Sequence, residues 1–133
     1  MANVFGGASL KYSGVISGAG CTAATAQYKF VKFSADNTVV PCAATTDIPC
    51  GVLQAPCVTT GDPVEVVYLG ETPLQAAASI TAGGQIATAA AGTGQAAVTA
   101  QYIVGVAVNV AGATTAGTLI TALVNCCSPV LKA

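Results

Sequence analysis

The strongest constraint on the fold is a passage that this chain contains twice. Ile48-Pro49-Cys50-Gly51-Val52-Leu53-Gln54 recurs 54 residues later as Tyr102-Ile103-Val104-Gly105-Val106-Ala107-Val108, a glycine interrupting an apolar run in each. A Thr-Thr pair follows each copy (Thr59-Thr60 and Thr114-Thr115), then a glycine (Gly61 and Gly117), then a β-prone run at residues 64–69 and 119–124. The spacing drifts by only two residues between the two pairs of glycines. Chance recurrence in a Gly/Ala/Thr-rich β sequence is the alternative to duplication. Duplication predicts two related β-units packed as one small barrel or sandwich, because neither unit alone buries both faces of its strands.

The rest of the chain has the same texture. Tyr28-Lys29-Phe30-Val31-Lys32-Phe33 alternates, placing Tyr28, Phe30 and Lys32 on one face and Lys29, Val31 and Phe33 on the other, and Asp36-Asn37 marks a turn. Residues 64–69 are rich in β-branched and aromatic side chains, and Pro63 stands where a strand tolerates proline, at its start. Residues 76–99 are rich enough in alanine to suggest a helix, but Gly83, Gly84, Gly92 and Gly94 would each cost about 1 kcal/mol there. Short strands and wide loops are predicted instead. Residues 1–20 are Gly-rich without sustained periodicity and read as an extended arm, leaving 21–133 as the β-domain. At 133 residues, one all-β domain, a small barrel or sandwich with that arm, is the predicted fold class.

Charge narrows the partners. Only 7% of residues are charged, against about 25% in an average soluble domain. Residues 72–131 contain no Asp, Glu, Lys or Arg, and the net charge is -1, which suits a protein that lives docked on something. Lys11, Lys29, Lys32 and Lys132 are too few and too scattered to neutralise phosphates, so no nucleic-acid partner is expected. The longest apolar candidate, residues 102–111, falls short of the about 20 residues a membrane helix needs. Residues 1–10 carry no basic-then-apolar export pattern, so synthesis in the cytoplasm is expected.

Little chemistry is on offer. Without histidine there is no Ser-His-Asp or Cys-His arrangement and no near-neutral general base. Asp62 and Glu65 flank Pro63 at a strand entrance, where turn formation and solvation account for them. Gly92-Thr93-Gly94 lacks the Gly-Lys-Ser/Thr ending of a phosphate loop. No catalytic residue, cofactor or metal site is expected. Six cysteines, Cys21, Cys42, Cys50, Cys57, Cys126 and Cys127, lack zinc-site spacing. They read either as a disulfide framework of open connectivity, formed after release from a reducing cytosol, or as small buried hydrophobes.

The order Val39-Val40-Pro41, Ile48-Pro49-Cys50-Gly51-Val52-Leu53-Gln54, Gly61-Asp62-Pro63-Val64-Glu65-Val66-Val67 and Gly70 resembles the capsid cement (decoration) proteins of tailed bacteriophages. The second half agrees through Ile80-Thr81-Ala82-Gly83-Gly84-Gln85-Ile86, Gly94-Gln95-Ala96, Ile103-Val104-Gly105-Val106-Ala107 and Gly117-Thr118-Leu119-Ile120-Thr121-Ala122-Leu123-Val124. The likeness spans residues 28–124. It implies a β-rich structural protein on the outer surface of the virion capsid, bound to the major capsid protein as homotrimers and reinforcing the head against internal DNA pressure. The six cysteines depart from that pattern. The competing expectation is an extracellular binding module, an adhesin or fibre domain stapled by disulfides.

Overall fold

A computed structural model describes residues 9–110 and 116–133. Among them the chain is nearly all β: twelve strands and one 3-10 turn at Ala24–Ala26. The main sheet runs β2(Ile16–Ser17), β4(Thr38–Pro41), β3(Phe30–Ala35), β5(Gly51–Leu53), β6(Val66–Gln75), β11(Leu119–Asn125), β10(Gly105–Asn109), β7(Gln85–Thr88), β8(Gly94–Ala96). β1(Leu10–Lys11) pairs with β6, and β9(Tyr102–Ile103) with β12(Val130–Leu131) as a separate ribbon.

That strand order is the repeat made visible. From the centre outward, β6-β5-β3-β4 faces β11-β10-β7-β8, and the registers correspond pair by pair. Val31 sits opposite Gly51 and Pro41 in the first unit, as Ile86 sits opposite Gly105 and Ala96 in the second. Val52 opposes Val67 and Leu53 opposes Val66, as Val106 opposes Leu123 and Ala107 opposes Ala122. Hairpin geometry matches too: Tyr28 and Asn37 hold φ of 62° and 53° where Gly83 and Gly92 hold 78° and 82°. The protein is thus two related β-units in one small domain. The duplicated passage showed the β5–β6 and β10–β11 halves; Thr114-Thr115 of that signature lies outside the described residues.

Gly51 and Gly105 explain why the motif needs its glycine. A Cβ on Gly51 would lie 2.6 Å from the Val67 carbonyl oxygen, and one on Gly105 would lie 2.7 Å from that of Leu123. Each glycine lets its strand approach the next backbone.

β6 serves both units. Its first residues complete the first unit against β5, and its last seven, from Leu69, pair with β11. The backbones of Tyr68 and Ala76 bond toward β11 and its flanks, so Pro73, of opposite parity, has its missing N–H on the other side. Leu74 and Ala76 then stand in the second unit where Val15 and Ser17 stand in the first. Ser17 is held by Gly61 and Asp62, and Ala76 by Gly117 and Thr118, through the same backbone bonds. Each seam rests on an isolated bridge, Ile16 with Pro63 and Ala76 with Gly94, so the sheet curls into a sandwich-like body without closing a barrel.

Two cores follow. Val15, Cys21, Val31, Val39, Cys50, Leu53 and Val66 fill the first unit, while Leu74, Ile80, Ile86, Val104, Ile120, Ala122 and Val124 fill the second. Phe30, Val52 and Val67 alternate with Val31, Leu53 and Val66 and join the second core, so the first unit's sheet is buried on both faces. Of the expected N-terminal arm, residues 1–8 lie outside the described residues. Residues 9–20 run along the first unit, with Val15 buried and Tyr12 packed on Phe33 and Tyr68.

Candidate docking face

On the second unit, β11 alternates except at the buried Thr121: Ile120, Ala122 and Val124 belong to the core, while Leu119 and Leu123 are exposed. Val106 on β10 lies opposite Leu123 and is half-buried. Beside them the β9–β12 ribbon adds Ile103 and Val130, enclosing a shallow cavity of about 260 Å³ whose lining includes Gln85, Val106, Leu123 and Asn125. Charge appears only at the margins. Glu71 stands opposite Leu123 on β6, and Lys132 donates to the Gln85 side chain at 2.8 Å.

The repeat shows what is unusual about this face. Its counterparts in the first unit are Phe30, Val52 and Val67, all 2% exposed or less, because the second unit covers them. Here Leu123 is 43% exposed and Gln85 is open. The two units therefore stack in one direction and leave the last outer face uncovered. Sequence reasoning identified the uncharged stretch but not this face, since only the fold tells which copy is covered.

Away from this face, uncharged amides bridge the two units. Gln75 donates to the Thr25 and Gln27 carbonyls, tying the units together, and Gln54 donates to the buried Thr72 hydroxyl at 2.8 Å. Among the described residues no buried side-chain polar atom lacks a partner.

The acidic residues weighed from the sequence have separate partners. Asp62 accepts from the Thr59 N–H at 3.0 Å and shapes its turn, and Glu65 forms an exposed ion pair with Lys11 at 3.3 Å. Asp47 is the most engaged carboxylate. Burial opposes its ionisation, but the N–H groups of Ala43 and Ala44 and the Lys32 ammonium at 2.9 Å outweigh burial and hold its pKa below the usual carboxylate range.

All six cysteines are free thiols in the structure, which differs from the disulfide framework weighed from the sequence. Cys21 and Cys50 are buried in the first core, Cys42 and Cys126 in the second; Cys57 lies at the first core's edge and Cys127 is exposed. Cys21 and Cys50 take core places that the second unit gives to the buried Ile80 and Val104, so packing alone accounts for those two. Burial pushes the Cys42 and Cys50 thiols up to about 12, with the Asp47 charge adding to the first and Cys42 to the second. Cys126 is raised further by the same burial, and Cys21 is also raised. Thiols raised as far as those of Cys42, Cys50 and Cys126 are poor nucleophiles.

No protein-family model matches the chain, and comparison with curated proteins finds no match. The likeness to phage cement proteins therefore rests on the motifs quoted above.

Proposed function

We propose that the protein is a capsid decoration, or cement, protein: a non-catalytic domain that binds the outer surface of a mature tailed-phage head and stiffens it against DNA pressure. Its partners are the major capsid protein and two further copies of itself. One observation carries the reading. The second unit leaves open, within a run of 60 residues that holds no charged side chain, the sheet face whose counterpart in the first unit is buried.

Interface cores are depleted of charge because charged groups are costly to desolvate, and the Leu123, Val106 and Val130 surface has that character. A shell presents one binding surface many times over. A cyclic oligomer that engages several copies at once gains durable attachment from weak individual contacts.

The test is co-sedimentation with undecorated heads, alongside native mass measurement. Wild-type protein is expected to pellet with the heads and run as a trimer, and Leu123→Glu to lose the pelleting while keeping its far-UV spectrum. Wild-type protein that stays in the supernatant at micromolar concentration would sink the proposal.

A further inference from the structure

Cys57 lies in the connection from β5 to β6, and Cys21 in the stretch that leads from β2 to β3. The two backbones are joined: the Cys57 N–H donates to the Cys21 carbonyl oxygen at 3.1 Å. Standard bond lengths around that single 3.1 Å N–H···O contact hold the two Cα atoms to about 7 Å or less, overlapping the window of roughly 4.4–6.8 Å that a disulfide requires. Both side chains belong to one cluster, Cys21 fully buried within it and Cys57 packed against its edge. Burial is the main cause that raises the Cys21 thiol, and charge on Cys57 adds to it.

We propose that Cys21 and Cys57 are a specific disulfide-forming pair, oxidised by exchange with a low-molecular-weight disulfide of the glutathione class, and that the bond staples the first unit. Exposure sets the order of events. Cys57 is half-buried, whereas Cys21 is enclosed and its Sγ contacts the Val39 carbonyl at 3.4 Å. The Cys57 thiolate attacks one sulfur of the small disulfide, forming a mixed disulfide and releasing one small thiolate. Cys21 then gives up its proton, and its sulfur attacks Cys57 Sγ and displaces the second small thiolate. The protein loses two electrons and two protons, and the small disulfide becomes two thiols.

The resulting covalent loop contains β3, β4 and β5, three of the strands that define the first unit. The second unit has no such option, because Ile80 stands where Cys21 does. Val58, next to Cys57, is 92% exposed, so the connection has room for the small closing movement. The pairing does not depend on the cement reading.

The intact protein is incubated with oxidised glutathione, its remaining thiols are alkylated after denaturation, and the product is cleaved before aspartates and after Leu53. These cuts separate Cys57 from Cys50 and both from Cys21. The expected product is a Cys21 peptide joined to a Cys57 peptide, two hydrogens lighter than the sum, with the other four cysteines alkylated. Cys21→Ala is expected to retain glutathione on Cys57; Cys57→Ser, at the less buried position, is expected to leave Cys21 a thiol. A dominant link between any other pair, such as Cys50 with Cys126, overturns the proposal. So does a stable glutathione adduct on wild-type Cys57, or no reaction at either residue.

Discussion

The two units share a backbone plan and differ in almost everything else. The first fills its core with Cys21, Val31, Val39, Cys50 and Leu53 where the second has Ile80, Ile86, Gly94, Val104 and Ala107. The first also carries Lys29, Lys32, Asp36, Asp47, Asp62 and Glu65, whereas after Glu71 on the shared strand no charged residue follows before Lys132. Strand register survives all of this. What is kept is backbone geometry: the glycine that permits close approach, and the left-handed turn positions before and after the first hairpin strand. Register is therefore set by turns and by steric permission, and core composition drifts within it.

The largest expected effects test the shared strand. Leu74 is fully buried and belongs to the second unit's core, yet it lies on the strand that begins in the first. Leu74→Ala should cost about 2–5 kcal/mol in urea unfolding. Because β6 is common to both units, the loss should appear as one cooperative transition. Two separated transitions would show instead that the units unfold independently.

Next come the paired glycines. Gly51→Ala and Gly105→Ala each drive a Cβ into a neighbouring carbonyl, and overpacking of this kind costs about 1–3 kcal/mol. The two losses should agree closely, because the positions are equivalent. Gly61→Ala and Gly117→Ala meet no atom within 4 Å and are strained only through φ of 99° and 86°. They should each cost about 1–2 kcal/mol, the left-handed penalty for a residue with a Cβ. A Gly51 variant as stable as wild type would break the steric account of the repeat.

These substitutions also mark how much was legible in advance. The β5–β6 and β10–β11 passages were readable because their glycines and apolar runs are chemically alike. The β3–β4 and β7–β8 hairpins correspond equally well in space, but Val31-Lys32-Phe33 and Ile86-Ala87-Thr88 share a backbone role rather than a composition. Nor did Asn37 and Gly92 look related until both proved to hold positive φ. The second half of β6 was hidden for another reason: Gly70, Glu71 and Pro73 are turn-prone residues, and only pairing with β11 makes them a strand. The open face was not legible at all, because strands of equivalent role gave no sign of which copy would be covered.

A smaller effect concerns one loop that both units cap in different chemistry. Asp47 accepts from the Ala44 N–H at 2.9 Å while its own N–H returns to the Ala44 carbonyl. Gln101 does the same with Val98, its side-chain oxygen accepting at 3.1 Å. A carboxylate stands in the first unit and a neutral amide in the second. Asp47→Ala should cost roughly 1.5–3 kcal/mol, the range for hydrogen bonds to a charged group, and Gln101→Ala nearer 1 kcal/mol.

The same pair predicts a pH response confined to one unit. The folded-state pKa of Asp47 lies below its unfolded value of about 3.9. The stability it contributes is therefore fully present above the unfolded pKa and is lost as pH falls through the folded one. Hydrogen exchange read on residues 43–50 and 97–104, with rates corrected for intrinsic pH dependence, compares the loops within one molecule. Protection of the first loop should weaken below about pH 4 while the second stays flat, and Asp47→Asn should make the first resemble the second. Equal weakening of both loops in the wild type would mean that acid acts on the whole fold, and that the charge difference between the units has no local consequence.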